Sequence, residues 1–386
     1  MENTSYLYDT LGQVLRQHRQ WMDLRHLKPL AWMMVGLIHS GSMSLCAWTP
    51  FGLSRAQYTQ STGRRFRRWL DNDTIEVHAL YGPLMQHALV GWVNKTLYVA
   101  LDTAMLWETY CLVRLSVIYR GRAVPLVWMV IEHGSAQVAY AVYKALVDRA
   151  ATLMPWACRV VLLADRGFAD TKLMRHLQQM GWHVRMRIKE HCWIDHRGQR
   201  RFQVRALSLA PGHARLWHGV RVTGQHFGPL HLAVARPLGS NDSWYVVSDD
   251  PTEVNKVQEY ALRFDSEENF WDDTSNGLQL ESSLMRSAKA LERLCVVLAM
   301  TTLYLVSQGT SVVKRGKRRL VDPHWSRGTS YLKIGWKWVS YALSRGYELL
   351  TSVYLSSECD PEPAIASKKQ EQRRQHRFAF AYQHVA

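Results

Sequence analysis

The sequence predicts an α/β protein built on a mixed sheet, with helices before, between and after its strands. Three observations carry that expectation. Strand-like apolar runs at 97–102, 111–119 and 123–131 follow one another at hairpin spacing. From residue 138 onward, helical and strand-like segments alternate. Two of the apolar runs, Leu97-Tyr-Val-Ala-Leu-Asp102 and Val160-Val-Leu-Leu-Ala-Asp165, each close on an aspartate.

The first 90 residues read as short helices at 24–39, 54–58 and 64–70, punctuated by Pro50, Gly52 and Gly63, in the manner of a helical DNA-binding domain. In the last of them Arg64, Arg65, Arg67 and Arg68 interleave with Phe66 and Trp69, so one helix has a packed side and a basic side. The plainer reading of those arginines is a solvated charged face.

Residues 91–190 form the first part of the core. It holds the three strands, with a turn at Gly121 between the last two, then a helix at 138–151, a strand at 159–165, a helix at 171–180 and a strand at 183–189. Three strands followed by alternating helix and strand is the ribonuclease H-like layout, a mixed five-stranded sheet flanked by helices. Residues 191–250 turn β-rich, with strands at 202–207, 214–223, 230–235 and 244–248, and read as an insertion. Residues 251–310 complete the core and include a long helix at 282–307. Residues 311–386 form a basic C-terminal region assigned to dimerisation or DNA contact, with a tail from Lys368 expected to be disordered.

Lys plus Arg number 48 against 32 Asp plus Glu in 386 residues, a formal net charge of +16, which suits a polyanionic partner without separating DNA from RNA or an anionic membrane. The longest uncharged apolar run, 294–307, is shorter than the about 20 residues that span a bilayer, so a buried helix is expected there and no membrane segment. Cys46, Cys111, Cys158, Cys192, Cys295 and Cys359 lack the C-x₂-C spacing of a zinc site or a disulfide framework. With no signal-peptide order at Met1-Glu-Asn-Thr-Ser-Tyr, a reducing cytoplasm is the expected location.

The chemistry concentrates in Tyr260-Ala-Leu-Arg263-Phe-Asp-Ser-Glu267-Glu-Asn-Phe-Trp271. On a helix, spacings of three and four put Tyr260, Arg263 and Glu267 on one face. Two strand-borne aspartates, Asp102 and Asp165, with the helix-borne Glu267, are what a two-metal phosphodiester-cutting site requires. Hard ions such as Mg²⁺ take carboxylate oxygens and leave room for water and phosphate. Taken singly, each aspartate reads as a turn former or helix cap, and it is the constellation that favours metal ligation. Asp249 and Asp250 also close an apolar run, and Glu268, Asp272 and Asp273 crowd the glutamate.

These residues resemble the DDE transposases of bacterial insertion sequences, in the subgroup with the Tyr-x₂-Arg-x₃-Glu-x₆-Lys signature. The matching text is Leu-Asp102-Thr, Ala-Asp165-Arg-Gly-Phe168, Tyr260-x₂-Arg263-x₃-Glu267 and Asn276-Gly-Leu-Gln-Leu-Glu281, over roughly residues 20 to 310. The signature's lysine falls at position 274, where this sequence has Thr274, with Arg286 and Lys289 as nearby substitutes.

The resemblance implies catalysis by Asp102, Asp165 and Glu267 holding two Mg²⁺ ions, with Mn²⁺ able to substitute and no small-molecule cofactor. It implies double-stranded DNA as partner, both the element's terminal inverted repeats and the target, cut and joined through a hairpin by a homodimer assembled on DNA in the bacterial cytoplasm, at the nucleoid. Tyr260 and Arg263 would position terminal phosphates, the β-rich block would touch end DNA through Arg187 and Lys189, and Arg64, Arg65, Arg67 and Arg68 would bind DNA from the N-terminal region. Trp271 would stack an extruded base or pack against the core. Two alternatives stay open: a DNA-binding derivative without catalysis, which Thr274 suggests, and a ribonuclease H-like nuclease that cuts without joining.

Overall fold

The computed structural model describes residues 2–17, 24–52, 58–197, 201–251, 253–264, 280–364 and 377–385. Five helices open the chain: α1 (Glu2–Gln17), α2 (Leu24–Ser40), α3 (Leu45–Trp48), α4 (Thr59–Leu70) and α5 (Val77–Ala88). A meander follows, of β1 (Thr96–Leu106), β2 (Tyr110–Tyr119) and β3 (Arg122–Glu132). Its second hairpin turns on Arg120 and Gly121, both at positive φ, between the paired residues Tyr119 and Arg122. That is the two-residue turn whose twist matches antiparallel strands, and Gly121 adopts it without a Cβ penalty.

Next come α6 (Tyr140–Ala151), β4 (Arg159–Ala164), α7 (Thr171–Gln179) and β5 (His183–Arg187). Asp170 caps α7 by accepting from the Lys172 amide at 2.8 Å. The β-rich block is β6 (Trp193–Asp195), β7 (Phe202–Gln203), β8 (His213–Val222), β9 (Phe227–Arg236) and β10 (Trp244–Ser248). The chain then forms α8 (Asn255–Ala261), α9 (Ala288–Lys314), α10 (Tyr331–Arg345) and β11 (Ala381–Val385).

All the strands lie in one sheet of order β3-β2-β1-β4-β5-β10-β9-β8-β6-β7, with β11 added beside β8. Strands β1, β4 and β5 are parallel, and the pairs β1–β2, β2–β3 and β5–β10 are antiparallel. The expected five strands are thus present as a mixed half-sheet. Residues 191–250, expected as a β-rich insertion, supply β6 to β10, and β10 pairs directly with β5 through Val246↔Arg187 and Ser248↔Arg185, so the sheet runs on without a break. The strand expected at 202–207 shortens to Phe202–Gln203 and then tightens into a 3₁₀ turn.

Alternation along the central strands assigns their two faces. Leu97, Val99, Leu101, Leu162, Ala164, Val184 and Met186 join the main apolar core, which also takes in Leu146 of α6 and Leu173 of α7. Ala100, Val161 and Leu163 face the other way, towards Leu262, and Val246 shares that side with Val257 and Tyr260.

The N-terminal helices do not form a core of their own. Leu7, Leu30, Trp48, Phe66 and Tyr81 belong to the cluster that includes α9 and the sheet. Helices α1, α5 and α10 are not among those expected from the sequence, and residues 54–57 of the helix expected at 54–58 lie outside the described residues. The central apolar segment also runs past the expected 294–307. Helix α9 has 27 residues and is long and apolar enough to cross a membrane, but 94% of its apolar window is buried inside the protein. Helix α10 crosses it at glycines: a Cβ on Gly309 would meet the Tyr331 carbonyl at 2.0 Å, and one on Gly335 would meet that of Leu305 at 1.8 Å. Only glycine permits that approach.

Candidate active site

Asp102 lies in β1, and Asp165 directly follows β4. The parallel register pairs Leu101 with Ala164 and Ala164 with Met186, so Asp102, Asp165 and Arg187 fall in one row, where β4 and β5 end beside the middle of β1. Ligand sites of open α/β sheets occupy such ends. The loop after Asp165 tightens at once into a 3₁₀ turn over Arg166–Phe168, closed by the Phe168 amide donating to the Asp165 carbonyl at 2.9 Å.

Helix α8 packs against β5, β9 and β10 and delivers the other two residues. The Tyr260 hydroxyl donates to Oδ1 of Asp165 at 3.2 Å and accepts from Nε of Arg263 at 3.3 Å, while Nη1 of Arg263 donates to Oδ2 of Asp102 at 3.2 Å. One tyrosine and one arginine therefore bridge the two aspartates in a continuous chain of hydrogen bonds. Tyr260 is fully buried and Arg263 is 4% exposed, whereas Asp102 keeps 16% of its side chain open. Burial, reinforced by the Asp165 charge and opposed by Arg263 and Arg187, pushes the Tyr260 hydroxyl up to about 12, so at neutral pH it is a neutral donor.

Tyr260 and Arg263, expected to position terminal phosphates, are turned onto the carboxylates in this structure, because a buried guanidinium needs a counter-charge. Helix α8 itself ends at Ala261, with Arg263 in the turn that follows. Glu267, Trp271 and Thr274 lie outside the described residues. Of the two substitutes for the missing lysine, Lys289 sits 3.9 Å from Asp73, while Arg286 lies over the Trp107 ring, just past the strand that carries Asp102.

Asp249 and Asp250, the rival acids, group with His183 closely enough to suggest a metal site. Their partners argue otherwise. Asp249 accepts from the Val184 amide and from His183, both at 2.8 Å, and Asp250 is bonded by Arg159 and by the fully buried Arg185, which also binds Glu259 at 2.8 Å. Although burial pushes the Asp250 carboxyl upward, the bonds from Arg185 and Arg159 hold it down at about 2. Both carboxylates already have cationic partners, so a divalent ion would have to compete with them.

The basic residues divide by position. Arg64, Arg65, Arg67 and Arg68 are exposed on α4, opposite buried Thr62, Phe66, Trp69 and Leu70, so the helix has one packed and one basic side. Arg65 and Arg68 line a groove with Arg25, Lys28 and Trp69. Arg187 is half-buried and donates to the Ser243 carbonyl at 3.5 Å, and Lys189 is exposed beyond β5.

Two residues near the site were missed in the sequence. Arg114 is the cross-strand partner of Asp102 and is 2% exposed. Trp244 on β10 stands edge-on to Tyr260, with ring centres 5.8 Å apart. A charged residue inside the otherwise apolar run 111–119 was the available signal for Arg114; nothing local marked Trp244.

No protein-family model and no curated protein sequence matches this chain. Among solved structures, the cryo-EM structure of the piggyBac transposase synaptic complex with hairpin DNA aligns with 90% of this chain and 79% of that chain, at a TM-score of 0.41 and 11% sequence identity. A likeness that slight assigns neither fold nor function.

Proposed function

We propose that the protein is a DNA transposase of the DDE type, a metal-dependent enzyme that cuts phosphodiesters at transposon ends and joins the freed ends to target DNA. The observation that carries the reading is the Asp102–Arg263–Tyr260–Asp165 chain of hydrogen bonds where β4 ends beside β1. The order β3-β2-β1-β4-β5, three antiparallel strands leading into parallel ones, supports a ribonuclease H-like core around it.

The two aspartates suit a hard divalent cation. They stand side by side on neighbouring parallel strands, both partly open to solvent, and among the described residues no hydrogen bond falls on Oδ2 of Asp165. Asp102 and Asp165 would hold the metal, with Glu267 as the third carboxylate, and Mg²⁺ is the proposed ion. Bound divalent ions would activate the attacking oxygen and stabilise the leaving oxygen.

The chain's own residues do the rest. Arg263 and Tyr260 keep both carboxylates aimed at one point and exclude water from behind them. When phosphate enters, Arg263 is the nearest buried guanidinium to bind it bidentately. Arg187, in the row beside Asp165, and Lys189 add positive charge on the sheet's rim, and the basic side of α4 offers phosphate contacts further along a duplex. Strand transfer through a hairpin by a dimer on DNA is the finer part of the proposal, and it follows the sequence resemblance alone.

The test is cleavage of a labelled duplex that carries the element's own flanking end, with Mg²⁺ or EDTA, beside the Asp165→Asn and Glu267→Gln variants. Metal-dependent nicking lost in both variants supports the reading. Specific binding without cleavage would replace it with a DNA-binding derivative, and cleavage without any joined product with a plain nuclease.

A further inference from the structure

We propose that residues 377–385 at the C-terminus are a working part of the candidate centre: docked on β8 and Trp244, they hold Tyr260 and Arg263 against the two aspartates. Two independent contacts fix the segment. β11 adds in parallel to β8, from Ala381↔His213 to Val385↔Trp217, on the same edge whose far end pairs with β6. The ladder begins with the Ala381 amide donating to the Gly212 carbonyl at 2.9 Å. Just before it, Phe378 and Phe380 pack on the apolar cluster that contains Trp244, Val257 and Tyr260.

The floor under those rings is shallow. Register places Ala214 beside Ala235, Ala235 beside Trp244 and Leu216 beside Ala233, and three of these residues are alanines. Rings lie flat where small side chains leave room. Trp244 is then held from three sides, with Phe378 at 5.9 Å, Phe264 at 5.5 Å and Tyr260 at 5.8 Å between ring centres. Arg377 stacks 5.9 Å over both Trp244 and Phe378 and covers the pair.

A relay of contacts runs from Phe378 through Trp244 to Tyr260 and so to Asp165. Four of the five residues of β11 are exposed, and the segment's contacts on the site's apolar cluster come from Phe378 and Phe380 just before it. Trp244 and Phe378 are positioning residues, since neither touches a reacting atom. The consequence for cleavage rests on the transposase reading; the docking does not.

The experiment compares the full chain with a chain ending at residue 376 and with the full-length Phe378→Ala/Phe380→Ala variant, by hydrogen exchange of the α8 amides and by end cleavage. A synthetic peptide of residues 377–386 is then added in trans. Expected are α8 exchange faster by about tenfold or more in both variants, a matching loss of cleavage with the melting transition retained, saturable rescue of the shortened chain by the peptide, and no rescue when that chain also carries Trp244→Ala. Recovery by Phe378→Leu separates ring-sized packing from chain ordering. Unchanged α8 exchange, or a peptide that does not bind, overturns the proposal. If even the full chain cuts no DNA, the transposase reading fails while the exchange data still decide the docking.

Discussion

Two pairs of carboxylates lie at opposite ends of β4 and β5. Where these strands end, Asp102 is bonded by Arg263 and Asp165 by Tyr260. At the other end, Asp249 and Asp250 are met by Arg159, Arg185 and His183. Counting acids, or measuring how closely they cluster, ranks the second pair as the better metal site. The second pair, already bonded to two guanidiniums and an imidazole, braces β4, β5 and β10, whereas the first is partly open to solvent.

The comparison breaks first at Asp165. Asp165→Asn is expected to lower metal-dependent cleavage by at least about 10³-fold, the scale of loss when a group central to an active site is removed, with the fold retained. Asp249→Asn should leave the chemistry and metal affinity in place. Quantitative gel assays of both variants decide it.

Arg185→Met should do the opposite. Removing a fully buried cation leaves Asp250 and Glu259 without their partner, and stability is expected to fall by about 3–5 kcal/mol, read by denaturant titration. A loss under 1 kcal/mol would mean that the strut is not structural.

Tyr260→Phe removes one hydrogen bond to Asp165 and leaves the ring on Trp244. About a tenfold loss of cleavage is expected, of the order of one hydrogen bond to a charged group, with the unfolding midpoint nearly unmoved.

The smallest effect is one of pH. Asp250 titrates near 2 in the folded protein against 3.8 as its ordinary value. A carboxyl depressed on folding contributes stability that is present above the ordinary value and lost as pH falls through the folded one, so the acid limb belongs between about pH 4 and 2. Asp250→Asn should flatten that limb in an acid-unfolding series. The same linkage gives Tyr260 the reverse sign: its contribution holds below pH 10 and fades towards 12.

Much of this was legible in the sequence, because it is written in local periodicity. The apolar runs of β1 and β4, the aspartates that close them and the two-sided pattern of α4 each follow from neighbours a few residues apart. What was illegible depends on distant partners. The tail beyond Lys368 was expected to be disordered on its composition, yet residues 381–385 form β11: their strand-forming partner is an edge of β8, and His384 meets His218 across 166 residues of sequence. Arg185 sits in a run, His183-Val-Arg-Met-Arg187, and its partners Asp250 and Glu259 are 65 and 74 residues further along the chain. Tyr260 and Arg263 were found by spacing, but spacing gives a shared face and not what that face meets. Glu267 lies outside the described residues.

Metal-directed scission of the polypeptide tests the central claim most directly. Fe²⁺ with ascorbate, used in place of Mg²⁺, generates hydroxyl radicals where the ion binds, and the fragments map its position. Cuts clustered near residues 102 and 165, suppressed by excess Mg²⁺ and absent in Asp165→Asn, are the predicted result. Cuts near 183 and 249–250 that survive that substitution would place the ion at the other end of the strands and contradict the account.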